Sequence, residues 1–327
     1  MTAQDHFQAV VRLVSICSLL TISIPAMAQK TEIKSQTFVY KRVSDLEIKL
    51  DVHRANDNLK RKVAVWIHGG ALINGGRQGI NHRIKEDILD AGYALVSIDY
   101  RLAPETKLPQ IIEDLEDAFQ WIHSEGQAKF NADISRMAVL GSSAGGYLTL
   151  TTGFRVHPPP DVLVSFWGYG DLIGPWYSQP SSHARHHRQT LSDAVAEEIK
   201  KGAAIARSSD RKGNGGAFYQ YCRQRGIWPK EVANIDPHQD PEKFFPYMPL
   251  KNVTPLFPPT LLIHGTDDSD VPYEQSSLMA AQFKTHDVSH QFVSVSKGEH
   301  GLSGASKTSI EEAYAAVIPF IKKHLDR

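Results

Sequence analysis

The chain has 327 residues, of which 41% are hydrophobic and 22% charged. That balance supports a sizeable core and excludes a disordered chain, and the length suits one α/β domain with an insertion. Lys plus Arg and Asp plus Glu each number 36, so no net field gathers nucleic acid or anionic lipid, and a neutral or weakly charged small molecule is the expected partner.

At the N-terminus Arg12 precedes an apolar run from Leu13 to Ile24, followed by Pro25 and the small-residue site Ala26-Met27-Ala28. This is the layout of a cleavable secretory signal over 1–28, cut after Ala28, which predicts a periplasmic or secreted catalytic domain over 29–327. An uncleaved anchor is the alternative, although the run falls short of the roughly 20 residues a spanning helix needs. No later segment is apolar enough to span, so no stable membrane insertion is expected once the signal has gone. Cys17 leaves with the signal and Cys222 remains alone, which excludes an internal disulfide. Nothing around Cys222 resembles a nucleophile turn, so it reads as a buried structural cysteine.

Residues 37–53 alternate, with Leu46, Ile48, Leu50 and Val52 on one face, and predict an antiparallel hairpin at a sheet edge. Short runs at 63–67, 94–98, 137–140, 162–166, 261–263 and 291–295 are mostly continuous in Val, Ile and Leu, as parallel strands covered on both faces require. Helices are expected between them at 84–89, 109–124 and 275–284, with a terminal helix over about 309–324. Pro109 suits a first turn, and Ile112, Leu115, Phe119 and Ile122 recur at helical spacing. The alternation implies an α/β fold with a mostly parallel sheet of about eight strands. It stops between 168 and 258, where a helix over 191–206 and a Gly-rich break at 213–216 suggest a partly helical cap inserted after a strand.

Three places carry chemistry. The run from Met137 to Leu140 leads into Gly141-Ser142-Ser143-Ala144-Gly145-Gly146, a strand, a tight turn and a helix start, which is the context of a nucleophile elbow at Ser143. A serine hydroxyl needs a base and an orienting acid. Acids follow strand 261–263 at Asp267, Asp268 and Asp270, and His300 stands in the loop after the last strand, later in the chain than both. His68-Gly69-Gly70-Ala71 ends an early strand, and the amides of Gly70 and Ala71, with that of Ala144, are the expected oxyanion donors. His68 is expected to order that loop, His264 to be structural, and His183, His186 and His187 to form a solvated surface rather than a metal site. The aromatic cluster Trp167, Tyr169, Trp176 and Tyr177 either lines a substrate pocket or packs the cap.

Taken in order, HGGA at 68–71, DYRLAPE at 99–105, GSSAGG at 141–146, HGTDDSDVP at 264–272 and GEHG at 298–301 resemble the α/β-hydrolase superfamily. They come nearest to its hormone-sensitive-lipase-like and bacterial feruloyl-esterase-like (BD-FAE) esterases, across most of residues 40–325. The acid turn is also similar to that of prolyl-oligopeptidase-type hydrolases, where the acid stands three residues before the valine, and this resemblance selects Asp268. Ala71 and Ser142 depart from the lipase-like pattern, which usually has a third glycine and an aspartate there.

The resemblance implies a carboxylic ester hydrolase with a catalytic Ser143, Asp268 and His300, working through an acyl-enzyme, and an exported, neutral esterase would fit small neutral esters or acylated carbohydrates. It implies no metal and no organic cofactor. The rival readings are a serine peptidase of prolyl-oligopeptidase type and a ligand-binding protein on a hydrolase scaffold. The sequence sets no oligomeric state.

Overall fold

Strands β1 (Ile33–Val43) and β2 (Leu46–Ala55) form the expected hairpin in the computed structural model, which describes residues 32–200 and 202–326. The signal read over 1–28 lies outside the described residues. Ile48, Leu50 and Val52 are buried along one face of β2, because alternate residues of a strand share a face. The chain then alternates through β3 (Arg61–Ile67), α1 (His82–Asp90), β4 (Ala94–Ile98), α2 (Leu108–Phe130), β5 (Ala132–Ser142), α3 (Ala144–Arg155) and β6 (Val162–Phe166). Four short helices follow: α4 (Pro175–Ser178), α5 (Ala194–Lys200), α6 (Gly215–Arg225) and α7 (Trp228–Ala233). The pattern resumes with β7 (Thr260–Gly265), α8 (Glu274–Thr285), β8 (His290–Val295), α9 (Lys307–Ala315) and α10 (Val317–Leu325).

The eight strands make one sheet in the order β1-β2-β4-β3-β5-β6-β7-β8. β2 runs antiparallel to β1 and β4, and the remaining pairs are parallel. Every residue of β4, β6 and β7 is buried, the expected consequence of helices on both faces. Alternate residues of β3 divide between two cores. Val63, Val65 and Ile67 join the layer of α2 and α3, while Ala64 and Trp66 join that of α1 and α10. The crossovers bring the C-terminal ends of β3, β5, β7 and β8 to one rim, where open α/β sheets bind ligands.

Two expectations need correction. The terminal helix is two helices meeting at Ala316, because Pro319 has no amide to offer and its ring conflicts with the carbonyl four residues earlier. The helix expected over 191–206 spans only Ala194–Lys200: the Leu191 amide is taken by the Gln224 side chain, a turn closes at Gly202, and the Ile205 carbonyl accepts from Leu102 instead. The Gly-rich break is the start of α6, where the Asn214 side chain accepts from the Ala217 amide.

Candidate active site

β5 runs into α3 with no intervening loop, and the residue at the junction is Ser143. Its backbone sits at φ 57°, ψ −122°, a conformation that costs an L-residue about 1–3 kcal/mol. The surroundings impose it: Tyr147 N–H donates to the Ser143 carbonyl, and the Ser143 amide donates to Phe166 on β6. A Cβ at Gly145 would lie 2.1 Å from the Ile67 carbonyl oxygen, so only glycine lets α3 start this close to β3. The turn leaves Ser143 at the rim, half-buried, with its hydroxyl 3.1 Å from His300 Nε2.

His300 comes from the loop after β8, and its Nδ1 lies 2.8 Å from Asp268 Oδ2 on the turn after β7. With Nδ1–H donating to the carboxylate, Nε2 carries the lone pair that accepts from Ser143. The other oxygen of Asp268 is fixed by the amides of Asp270 and Val271, each at 2.9 Å. Burial opposes the charge on Asp268, but hydrogen bonds with His264 and His300 outweigh it and hold the carboxyl well below the usual range. Burial likewise disfavours a charged His300. The hydrogen bond to Asp268 and the charges of Asp268 and Asp270 prevail, so its pKa is raised.

The three aspartates of the turn separate by environment. Asp267 is exposed, whereas Asp268 and Asp270 are buried and face His300 from different sides. His264 is fully buried and braces Asp268 from 3.3 Å while bonding the Val271 carbonyl and Ser276. Glu299 escaped the sequence reading. Its carboxylate accepts from the amides of His300 and Ser269 and from the Ser269 hydroxyl, tying the histidine loop to the acid turn. Its position directly before His300 was the available signal.

The 68–71 loop abuts the elbow. A Cβ at Gly69 would fall 3.2 Å from Ser143 Cβ and 2.7 Å from the Ser142 carbonyl oxygen. Gly70, Ala71 and Leu72 all have positive φ, and the amides of Gly70, Ala71 and Ala144 make no backbone hydrogen bond among the described residues. Among the described residues they are donors without an internal acceptor. Trp228 of α7 reaches back to donate its indole N–H to the Ala71 carbonyl at 3.0 Å. His68 stacks on Tyr100 at 4.2 Å, and the Tyr100 hydroxyl donates to the His68 carbonyl. Burial lowers the His68 pKa to about 4, so it stays neutral and orders the loop.

The aromatic cluster does not come together at the site. Of the two readings of the cluster, packing fits Tyr169 and Tyr177, which are 0% and 1% exposed and enclosed by other rings. Tyr169 stacks on Tyr147, and Tyr177 lies between Trp176 and Trp228 at 3.6 and 4.0 Å. Trp167 lies beside the centre, edge-on to His300 with 6.2 Å between ring centroids. A cleft of about 680 Å³ opens beside His300, and its walls are mixed, with Arg185, Gln189, Gln220 and Glu299 beside Leu191 and Ala217. His186 is 1% exposed, not part of a solvated surface, while His183 and His187 are exposed as expected.

A mostly parallel sheet, a strained serine between strand and helix, and a histidine and a carboxylate on later loops are the features of the α/β-hydrolase fold. The comparisons with known proteins agree on the α/β-hydrolase fold. Residues 50–158 match the BD-FAE family and residues 219–327 the prolyl oligopeptidase family. Esterase LipC of Mycobacterium tuberculosis is 28% identical over 229 residues, covering 69% of this chain and 50% of LipC. Non-reducing polyketide synthases such as prhL of Penicillium brasilianum are also similar, 29% identical over 175 residues that make 49% of this chain and 7% of that protein. The chain therefore spans half or less of these curated relatives. An α/β-hydrolase superfamily protein from Enterococcus faecalis superposes with a TM-score of 0.69 at 22% identity, over 89% of this chain and 99% of that one. A truncated carbohydrate esterase from gut microbiota gives 0.65 at 20%, over 90% and 97%.

Proposed function

We propose that the chain is a carboxylic ester hydrolase in which Ser143 is the nucleophile, His300 the base and Asp268 the orienting acid. The observation that carries this reading is the line of contacts from Ser143 Oγ to His300 Nε2 at 3.1 Å and from His300 Nδ1 to Asp268 at 2.8 Å. His300 takes the serine proton as Oγ attacks the ester carbonyl, and Asp268 keeps the ring in the required tautomer and stabilises its cation. The amides of Gly70, Ala71 and Ala144 receive the oxyanion. The protonated ring then gives its proton to the departing alcohol, and a water activated by the same histidine releases the acid.

The substrate we favour is a small neutral ester or an acylated carbohydrate. The mixed cleft, with polar side chains beside Leu191 and Ala217, suits a neutral group that carries hydroxyls, and the similarity to a carbohydrate esterase and to LipC points the same way. We read the segment between β6 and β7 as a cap over this cleft, and the N-terminal run as an export signal; no helix among the described residues is long and apolar enough to cross a membrane. A serine peptidase is the second reading, favoured by the prolyl oligopeptidase match over 219–327.

A panel of p-nitrophenyl esters, acetylated and feruloylated sugars and dipeptide amides separates the two. Ester turnover that falls by about 10⁴-fold or more in Ser143→Ala is the expected outcome. Amides cleaved faster than p-nitrophenyl acetate would favour the peptidase. A wild-type chain that binds esters without turning them over, and does not react with a fluorophosphonate, would leave only a binding role.

A further inference from the structure

Asp268 and Asp270 stand two residues apart on one turn, and their carboxylates approach opposite edges of the same imidazole. Asp268 meets Nδ1 at 2.8 Å, whereas Asp270 Oδ2 lies 3.9 Å from Nε2, the nitrogen that faces Ser143. Asp270 is only 8% exposed, an unfavourable place for a carboxylate without partners. Those partners come from the segment between β6 and β7. Tyr219 of α6 donates its hydroxyl to Asp270 Oδ1 at 2.6 Å, and Arg223, one turn on, donates to the Asp270 carbonyl and to the Tyr219 hydroxyl, both at 2.9 Å. His186 Nε2 stands 3.3 Å from Oδ1. Arg223 is itself packed over the rings of Tyr177 and Tyr219. Oδ1 is thus engaged, while Oδ2 makes no hydrogen bond among the described residues and lies within 4.0 Å of the Arg185 guanidinium as well as the His300 ring.

We propose that Asp270 is a positioning residue for His300, fixed by α6, whose negative charge stabilises the imidazolium that forms during acyl transfer. The inference rests on the ester-hydrolase reading above. As Ser143 Oγ bonds to the carbonyl carbon, its O–H bond breaks, the proton passes to His300 Nε2, and the carbonyl π pair moves onto the oxygen. Asp270 takes no proton. The cation that results lies between two carboxylates, one directly bonded and one held at short range, and a nearby opposite charge favours the charged form. Of the other charged groups, Arg185 opposes this effect from the cleft side, Glu299 binds the His300 amide, His264 supports Asp268, and His186 and Arg223 face Asp270. The two arginines and His300 keep Asp270 ionised despite its burial.

The test is the pH profile of kcat/KM for p-nitrophenyl acetate in the full chain, wild type against Asp270→Asn. His300 works as the free base, and a carboxylate beside it raises the pH at which that base is lost to protonation. Removing the charge is expected to move the acid limb down by roughly one pH unit while lowering plateau kcat about tenfold with little change in KM. Tyr219→Phe keeps the charge and removes its anchor, so kcat falls several-fold while the limb stays near that of wild type. A purely structural role would lower activity in Asp270→Asn without moving the limb. An unmoved limb in an Asp270→Asn enzyme that still reacts with a fluorophosphonate at Ser143 overturns the role of Asp270 and leaves the esterase reading standing. A wild-type chain that neither reacts nor hydrolyses overturns both. Should Asp270→Asn fail to fold, Tyr219→Phe decides, and a kcat equal to that of wild type is then the overturning result.

Discussion

The rim of the sheet and the segment between β6 and β7 meet at the same centre, yet they are held by different physics. At the rim, backbone is packed on backbone: α3 touches β3 through Gly145, the strained Ser143 is fixed by neighbouring amides and carbonyls, and little depends on distant side chains. The β6–β7 segment has short helices and no strand among its described residues. Ile199, Phe218, Trp228 and Phe244 join the core of α2 and α3, and polar side chains reaching across long stretches of chain add to that hold. Arg211 pairs with Glu105 and bonds the Ile73 and Ala103 carbonyls, Trp228 bonds Ala71, and Arg223 bonds the turn of Asp270. Local sterics shape the nucleophile, while contacts between residues distant in sequence, apolar and polar, shape what surrounds it.

That contrast can be broken at either side. Gly145→Ala puts a methyl group into the Ile67 carbonyl, so the elbow either shifts or the protein loses on the order of 3 kcal/mol, and ester turnover falls at least 10³-fold. Urea midpoints and p-nitrophenyl acetate kinetics check both. Arg211→Met leaves Glu105 buried and unpaired, both side chains being 1% exposed in the wild type, and is expected to cost about 3 kcal/mol. Turnover in the fraction that remains folded should change far less than with Gly145→Ala. Trp228→Phe keeps the ring and removes one hydrogen bond to the Ala71 carbonyl, for about 1 kcal/mol of stability and a several-fold drop in kcat with KM nearly unchanged. A Trp228→Phe enzyme with wild-type kcat would mean that the 68–71 loop needs no support from α7.

The smallest effect is on pH. Because the His300 pKa is raised, the free base is lost at a higher pH than for an ordinary histidine, and kcat/KM should fall as the pH drops through a value above 6.5. The sign follows from the partners: burial pulls the pKa down, and the two carboxylates pull it further up. An acid limb below 6.5 would contradict the raised His300 pKa.

The same contrast explains what the sequence revealed. The hairpin, the buried strands and the helix after Pro109 were legible because period and turn chemistry are local. Ser143 and His300 could be picked out because glycines flank the first and strand-loop order isolates the second. Asp267, Asp268 and Asp270 could not be told apart by spacing alone, since burial separates them and burial depends on the whole fold. The clamp of Tyr219 and Arg223 on Asp270 was illegible for the same reason, as were the breaks at Gly202 and Ala316, where tertiary bonds and a proline override helical periodicity. The two readings of the aromatic cluster could not be separated because four rings close in sequence say nothing about which of them face inward.

The most direct measurement is rapid-quench mass spectrometry of the full chain mixed with p-nitrophenyl acetate. With Ser143 as nucleophile, one acetyl group appears on the peptide containing Ser143 in the burst phase, decays with turnover, and is absent from Ser143→Ala. Turnover accompanied by acetyl on another residue, and sustained in Ser143→Ala, would contradict the assignment of the nucleophile.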